Sequence, residues 1–482
     1  MNDLALMGLE LAVVAAGLTI LLLDLWTVER DKRRLGYVAA FIVGCVFLAS
    51  FAVFVPEPRE AFGGMYVLDE FALFFKRFFL LAALLVLVMA VEYAHHFDAG
   101  AGEYYALILF ALAGMMFAAS AHDFTLLFVA VELIGVCFYI LTGFQRRNPQ
   151  SLEAGVKYLI IGALAGGFLV YGMALIYGTA GTLNFTALAE QAPRVMENRL
   201  LLLGLLMVFV GLGFKIAVVP FHIWVPDVYQ GAPAPTAAFL AVGSKAAGVA
   251  LLIRVLHTAL GPLADYWSPA LVALGMLTIL YGALGAIPQR NFRRLLGYSS
   301  ILNAGFLLLA LGAANGAGLA AVLFYLSGYL FAVLAAFTVL CLARCPGQED
   351  ETCILAGLHR RAPLLAFTLA LAMISLTGLP PLAGFFGKFF VFTAVLERGA
   401  EYPFLPWALG VGVFGVVVSL YFYLNVVRTL YWAPAPEARD PIAVSGPTRA
   451  IIGLAIFGLL WLGLFPGNII NLADLAVGTL AR

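Results

Sequence analysis

Apolar runs about twenty residues long recur from one end of the chain to the other, and this pattern restricts the fold more than any other feature. Each run can cross the ~30 Å hydrocarbon core of a bilayer as an α-helix. Only 11% of the 482 residues are charged, whereas a soluble domain carries roughly 25%. Segments of alternating polarity, which are typical of a membrane β-barrel, do not occur. The sequence therefore predicts an all-α polytopic membrane protein.

The apolar windows predict about fourteen transmembrane helices, with boundaries good to roughly four residues. They lie near 4–26, 35–55, 71–93, 104–120, 122–144, 155–178, 200–225, 234–258, 268–288, 295–314, 316–343, 363–397, 404–432 and 448–470. The first run has no basic stretch before it, which favours a retained helix over a cleaved signal peptide. The stretch 363–397 is long for one span, and Pro380 and Pro381 inside it predict a broken helix.

Basic residues alternate between the predicted loops. One set of loops holds fifteen of them: Arg30, Lys32, Arg33, Arg34, Arg146, Arg147, Arg290, Arg293, Arg294, Arg344, Arg360, Arg361, Arg428, Arg439 and Arg449. The other loops and the C-terminal tail hold Arg59, Arg194, Arg199, Arg398 and Arg482. Because short cytoplasmic loops keep the excess of Lys and Arg, both termini are predicted to face away from the cytoplasm.

Lysine is used unusually in this chain. There are only six: Lys32, Lys76, Lys157, Lys215, Lys245 and Lys388. Lys215, Lys245 and Lys388 fall inside apolar helices, where a lysine costs about 2.5–3.5 kcal/mol on insertion scales. Desolvation can make a buried ammonium release its proton, whereas a guanidinium keeps its own. The three lysines are therefore predicted to carry protons.

Glu132 lies in the middle of an apolar helix and is the natural counter-charge for one of these lysines. The pair of Glu132 and Lys215 is predicted to titrate, with a static pair as the alternative. For Lys157, near a helix end, a relay role and extension towards the lipid headgroups remain open. Lys76 and Arg77 are interpreted as interfacial anchors, and Arg254 and His257 as interfacial residues.

Two predicted helices combine a proline with a buried lysine. Pro220 follows Lys215, and Lys388 follows Pro380 and Pro381. Paired, interrupted helices in corresponding positions indicate inverted repeats with a site near the bilayer midplane. The two helices are the seventh and the twelfth predicted spans. Since this separation is odd, the repeats would have opposite orientations.

Nothing in the sequence predicts a cofactor in this chain. The cysteines between Cys341 and Cys353, with His359 nearby, match no usual zinc spacing, so no metal is expected. Neither a cysteine pattern for an iron–sulfur cluster nor a glycine-rich strand–helix turn is found.

Four stretches make the chain resemble the antiporter-like membrane subunits of respiratory complex I. They are Glu153–Tyr158, Phe214–Pro233, Arg293–Ile301 and Leu379–Lys388, and the resemblance covers essentially the whole chain. The part from Asp227 to Pro233 is typical of one branch of that family.

The resemblance implies two inverted five-helix repeats containing broken helices. The implied boundaries are 1–100 for N-terminal transmembrane helices, 101–260 for the first repeat, 261–432 for the second, and 433–482 for a C-terminal loop and helix. The implied proton relay consists of Glu132 with Lys215, Lys245 as the connecting lysine, Lys388 facing the second half-channel, and Lys157 as a further buried lysine. Asn303 stands where many members have a histidine. A relay there must use water or Tyr325, Ser327 and Tyr329.

The resemblance predicts a proton-translocating subunit of NADH:quinone oxidoreductase in a bacterial inner membrane. NADH, FMN, iron–sulfur clusters and quinone are implied in partner subunits. The expected partners are other membrane subunits of complex I and the lipid bilayer, and no nucleic acid is expected. A cation/proton antiporter subunit of the same fold is the alternative, and a structural scaffold is the third possibility. Sodium exchange would favour several buried carboxylates, whereas Glu132 is the chief acid expected at depth.

Overall fold

A computed structural model describes residues 3–97, 100–191, 198–343, 355–399, 405–434 and 441–480. Thirteen helices of this part of the chain are long and apolar enough to cross a membrane. The remaining predicted span, near 363–397, is present as two shorter helices. The prediction of an all-helical polytopic protein with about fourteen spans is therefore confirmed.

The helices before the first break are α1 (Asp3–Leu6), α2 (Gly8–Trp26), α3 (Leu35–Ser50), α4 (Glu70–Tyr93), α5 (Ala101–Ala119), α6 (Phe124–Thr142), α7 (Pro149–Ala180), α8 (Phe185–Glu190) and α9 (Arg199–Ile216). A small antiparallel hairpin precedes α4, formed by β1 (Arg59–Ala61) and β2 (Tyr66–Leu68), and was not predicted. Several helices start at a side-chain cap: Asp69 accepts from the Ala72 N–H at α4, and Asn148 precedes Pro149 at α7. These residues satisfy backbone N–H groups that the first turn leaves free.

The later helices are α10 (Val225–Gly231), α11 (Ala234–Ala259), α12 (Ala264–Ala286), α13 (Phe292–Gly312), α14 (Gly316–Ala343), α15 (Leu358–Arg361), α16 (Pro363–Thr377), α17 (Ala383–Arg398), α18 (Leu405–Trp432), α19 (Gly446–Leu464) and α20 (Gly467–Gly478). Helices α11, α13 and α14 form the interior, whereas α2, α7 and α18 expose most of their apolar surface. Such a surface suits contact with lipid or with other membrane subunits.

Two spans are broken, as the prolines predicted. The seventh span stops at Ile216, passes through Pro220 and resumes as α10. Its counterpart stops at Thr377, passes through Pro380 and Pro381 and resumes as α17. Gly378 ends α16 with a φ of +91°, in the left-handed region that glycine adopts without steric cost. Each break leaves backbone carbonyls without helical partners, and these breaks occur beside the buried lysines.

Candidate functional site: a row of buried lysines

Lys388 lies in the second turn of α17 and is buried. Its Nζ donates to the carbonyl oxygens of Leu376 and Thr377, both at 2.8 Å. These carbonyls belong to the last turn of α16 and are free because that helix stops at the break. The negative end of one half-helix therefore holds the ammonium of the other. No described carboxylate pairs with Lys388.

Lys245 follows a wider, π-type turn of α11 spanning Leu240–Ser244. Its buried Nζ donates to the carbonyl oxygen of Ser300 at 2.6 Å and to the Ser300 hydroxyl. That hydroxyl also lies 3.0 Å from the hydroxyl of Tyr229 on α10. Like Lys388, Lys245 is bound by uncharged oxygens. Such π-type turns are frequent at functional sites.

Polar groups extend from Lys245 towards Lys388. Ser299, next to Ser300 on α13, contacts the hydroxyl of Tyr423. The amide of Asn303 donates to the Ser299 carbonyl at 2.8 Å and accepts from the Tyr325 hydroxyl at 2.6 Å. Sequence reasoning missed Tyr423, although a tyrosine in an apolar helix is a signal because its hydroxyl needs a partner when buried.

A small cavity separates these groups from Lys388. Its volume is about 20 Å³, and its polar lining comes from Asn303, Tyr325, Tyr329, Ser375 and Lys388. This volume is sufficient for one water molecule, and the lining offers several hydrogen-bond partners. Ser327, grouped with Tyr325 and Tyr329 from the sequence, instead bonds the Leu323 carbonyl at 2.9 Å and lines a different cavity. The structure therefore does not bring Ser327 to the cavity beside Lys388.

Lys215 occupies the last turn of α9 and differs from the other two lysines. Its buried Nζ has no hydrogen-bond partner among the described residues. It lies 5.8 Å from the ring centroid of Tyr139. A Cβ placed on Gly135, three residues after Glu132, would be 3.1 Å away from it. Lys215 therefore approaches the helix of Glu132 without forming an ion pair with that carboxylate.

Glu132 itself is only half-buried within this chain. Its Oε1 points towards α7, where a Cβ placed on Gly166 would lie 2.7 Å from it. The prediction that Glu132 is the chief carboxylate buried in the membrane interior is therefore wrong. Glu10 is fully buried, and Asp69 is nearly so, because both are paired with cations on neighbouring helices.

Lys157 is not buried within this chain, contrary to the implied role. Its side chain is 43% exposed and pairs with Glu153 at 2.6 Å and Asp227 at 2.9 Å. The other oxygen of Asp227 accepts from Arg294 at 2.5 Å. Lys157 thus belongs to an ion-pair network that joins α7, α10 and α13, to which each helix contributes a residue near its N-terminus.

Two interfacial interpretations are also wrong. Lys76 is completely buried against Glu10, and Arg254 is buried against Asp69. In both cases a carboxylate elsewhere in the chain compensates the charge, and a single helix cannot reveal such a partner. Arg77, by contrast, is half-buried and lines a cavity of about 1140 Å³. His257 is half-buried near the end of α11.

The cysteine cluster is only partly covered, since Cys345 and Cys353 lie outside the described residues. Among the residues that are described, no group of three His, Cys, Asp or Glu side chains could hold a metal ion.

Comparison with known proteins identifies the family. The profile described as "NADH:quinone oxidoreductase/Mrp antiporter, TM" matches residues 121–419. NADH-quinone oxidoreductase subunit N 2 of Roseiflexus castenholzii is 41% identical, over 97% of this chain and 95% of that protein. The chain belongs to the subunit N family of NADH-quinone oxidoreductases. The resemblance stated from the sequence is thereby confirmed.

Solved structures agree with membership of the subunit N family. A chain of respiratory complex I from Thermus thermophilus has a TM-score of 0.80 and 34% identity, covering 97% of this chain and 99% of that chain. A chain of the Mrp complex from Dietzia sp. DQ12-45-1b has a TM-score of 0.85 and covers 99% of this chain and 98% of that chain. Because the second is only 22% identical, it shows a shared fold alone.

Proposed function

We propose that this chain translocates protons as a membrane subunit of an NADH-quinone oxidoreductase. The carrying observation is that the buried amines of Lys245 and Lys388 bind only uncharged oxygens, with hydroxyl and amide groups between them. An ionisable side chain in a membrane interior is costly and marks a functional site, such as a proton relay, by default. An amine held by carbonyl and hydroxyl oxygens can give up its proton without leaving a buried carboxylate unpaired.

In this proposal Lys215, Lys245 and Lys388 bind and release protons, and Glu132 sets the charge state of Lys215. An amine that loses a proton to a neighbouring hydroxyl or water becomes neutral, and it regains its charge from the next donor. The Asn303 amide does not ionise, so a proton must pass beside it through water in the small cavity. Tyr325 lines the cavity, and its hydroxyl, which donates to Asn303 at 2.6 Å, can also accept a hydrogen bond from that water. Lys157 is a peripheral member of the relay, close to the surface.

The two broken spans support the proposed division into repeats at 101–260 and 261–432. Each segment contains one break next to one buried lysine, and the repeats have opposite orientations because the breaks are five spans apart. We further propose a bacterial inner membrane location with both termini on the non-cytoplasmic side. A cysteine-accessibility map would test the orientation: Arg146 and Arg147 should be reached from the cytoplasm, and labelling there from outside would contradict it.

Redox cofactors are proposed to reside in partner subunits, where NADH, FMN, iron–sulfur clusters and quinone would act. Detergent extraction followed by identification of the bound subunits tests this assignment. Co-purification with NADH-oxidising and quinone-reducing subunits is expected. Co-purification with antiporter subunits alone would favour the cation/proton antiporter, the second candidate, which the shared fold of the Mrp chain favours. If an assembled complex that lacks the buried lysines pumps protons normally, this chain acts as a structural scaffold.

A further inference from the structure

A second group of buried charges lies on the N-terminal helices. These helices carry none of Lys215, Lys245 and Lys388, which are together called the lysine row. Lys76 of α4 and Glu10 of α2 are both fully buried, with Nζ 2.8 Å from Oε1. The Tyr66 hydroxyl of β2 bridges the pair, since it accepts from Lys76 at 2.8 Å and lies 3.0 Å from Glu10 Oε1. These three residues are called the Glu10–Lys76–Tyr66 triad below.

A neighbouring ion pair provides an internal comparison. Arg254 of α11 binds both oxygens of Asp69 at 2.8 Å and donates to the Ala119 carbonyl. Asp69 also accepts from the Ala72 N–H at 2.7 Å, so its oxygens are satisfied. A guanidinium does not release its proton in proteins. This pair therefore fastens α4 to α11.

The triad differs from that pair in each respect that matters for proton exchange. It contains an ammonium in place of a guanidinium, and the Tyr66 phenol contacts both charged groups. Glu10 Oε2 is buried and has no hydrogen-bond partner among the described residues. A buried polar atom left unpaired in this way is rare and indicates water or a proton at that position.

The geometry allows a balanced proton transfer. The Lys76 ammonium passes one proton to the Tyr66 oxygen, while the Tyr66 hydroxyl proton moves to Glu10 Oε1. The result is a neutral amine, an intact phenol and a neutral carboxylic acid, with no net gain or loss. The triad can then exchange protons with its surroundings in two ways. The ion pair can gain a proton at Glu10 Oε2, or the neutral pair can lose the proton of its carboxylic acid. Each event changes the charge of the triad by one.

We propose that the Glu10–Lys76–Tyr66 triad is a further proton-exchanging site of this chain. The Tyr66 hydroxyl also lies 3.0 Å from the carbonyl oxygen of Leu6, a partly exposed residue of α1. The triad is therefore separated from the surface by one short helix. Helix α4 packs against α11, which carries Lys245 of the row and Arg254 beside the triad. With the proposed orientation the triad lies on the side where protons are released, and this direction rests on the proposed function.

Reciprocal variants of the two ion pairs test the proposal in the assembled complex. Lys76→Arg keeps the charge but removes an exchangeable ammonium, and Tyr66→Phe removes the bridge without changing charge. Both should assemble and lower the number of protons pumped per NADH oxidised, measured in reconstituted vesicles, by at least a third. Arg254→Lys should instead reduce the amount of assembled complex, and the complex that forms should pump at the normal ratio.

Normal ratios in assembled Lys76→Arg and Tyr66→Phe would overturn the proposal and make the triad structural. If Lys76→Arg does not assemble, the double variant Lys76→Met with Glu10→Gln decides together with Tyr66→Phe, because it removes both charges and leaves neither buried and unpaired. Lys388→Arg, measured in parallel, separates the two hypotheses. A defect in Lys388→Arg with normal ratios in all the triad variants refutes only the triad, whereas a normal ratio in Lys388→Arg refutes the proposed function of Lys215, Lys245 and Lys388.

Discussion

The two broken spans present their lysines in different ways. In the second break, Lys388 lies after the interruption and its amine binds two carbonyl oxygens at the end of α16. In the first break, Lys215 lies before the interruption, in the last turn of α9, and its amine has no described hydrogen-bond partner. One lysine is held by the break itself, and the other points away from it towards the helix of Glu132.

This difference separates a fixed site from an adjustable one. The carbonyls that hold Lys388 belong to the backbone, so its surroundings change only if the broken helix moves. The surroundings of Lys215 depend on the position of the Glu132 side chain, because an opposite charge within ~4–6 Å favours the charged amine. We infer that approach and withdrawal of Glu132 control the proton on Lys215, whereas Lys388 exchanges with the water-sized cavity.

The largest effect is expected at Lys388. Lys388→Arg keeps the charge without releasing a proton, and Lys388→Met removes the charge at similar bulk. Both should lower proton pumping in reconstituted vesicles at least about tenfold, since a positioned proton-transfer group contributes ~10²–10⁴-fold. Lys32→Met is the matched control, because Lys32 pairs with Asp24 and Glu29 outside the row.

Pumping must be compared with the amount of assembled complex in the same membranes. The Lys32→Met control should assemble and pump normally. Full pumping by Lys388→Arg, together with poor assembly of Lys388→Met, would show that Lys388 has a structural role and would remove it from the relay.

A several-fold effect is expected at the first break. Glu132→Gln should impair pumping about as much as Lys215→Ala, with assembly intact, because each change abolishes the same charge interaction. The double variant should be no worse than either single one, since residues that act as a unit are not additive. Glu153→Gln, which alters an exposed carboxylate, is the control. Normal pumping by assembled Glu132→Gln would make Glu132 structural.

The sequence predicted the helices and both breaks well, because apolar length and proline act locally. It also placed Lys215, Lys245 and Lys388 in the interior. The sequence interpretation is wrong where a charge is compensated from a distant helix. Lys76 is interpreted as interfacial because it lies near the start of a helix, and its partner Glu10, 66 positions earlier in the chain, is not evident from the sequence. The carbonyl ligands of Lys388 could not be predicted from the sequence either, because they depend on how the two half-helices overlap.

The backbone of the two breaks provides a smaller, matched test. Gly378 and Ala217 both have positive φ, at +91° and +67°. A left-handed conformation costs an ordinary residue roughly 1–2 kcal/mol. Gly378→Ala should therefore destabilise the assembled complex by at least about that amount, because its Cβ would also lie 3.0 Å from Cδ of Lys388. Ala217→Gly should stabilise the complex slightly, by at most ~1 kcal/mol. Thermal unfolding followed by loss of the native complex measures both, and equal shifts in the same direction would contradict this account of the breaks.

The smallest effect is expected at Lys157, which tests whether burial separates the relay lysines from the peripheral one. Its half-exposed side chain pairs with Glu153 and with Asp227, and Asp227 also binds Arg294. Such surface ion pairs contribute about 0–1 kcal/mol each. Lys157→Met should therefore assemble normally and retain most of its pumping, whereas Lys245→Met should not pump. The small loss of proton pumping in Lys157→Met should be larger at low ionic strength, because the charges of Asp227 and Arg294 are then screened less. A loss as complete as that of Lys245→Met would show that Lys157 is buried and acts in the relay once neighbouring subunits cover it.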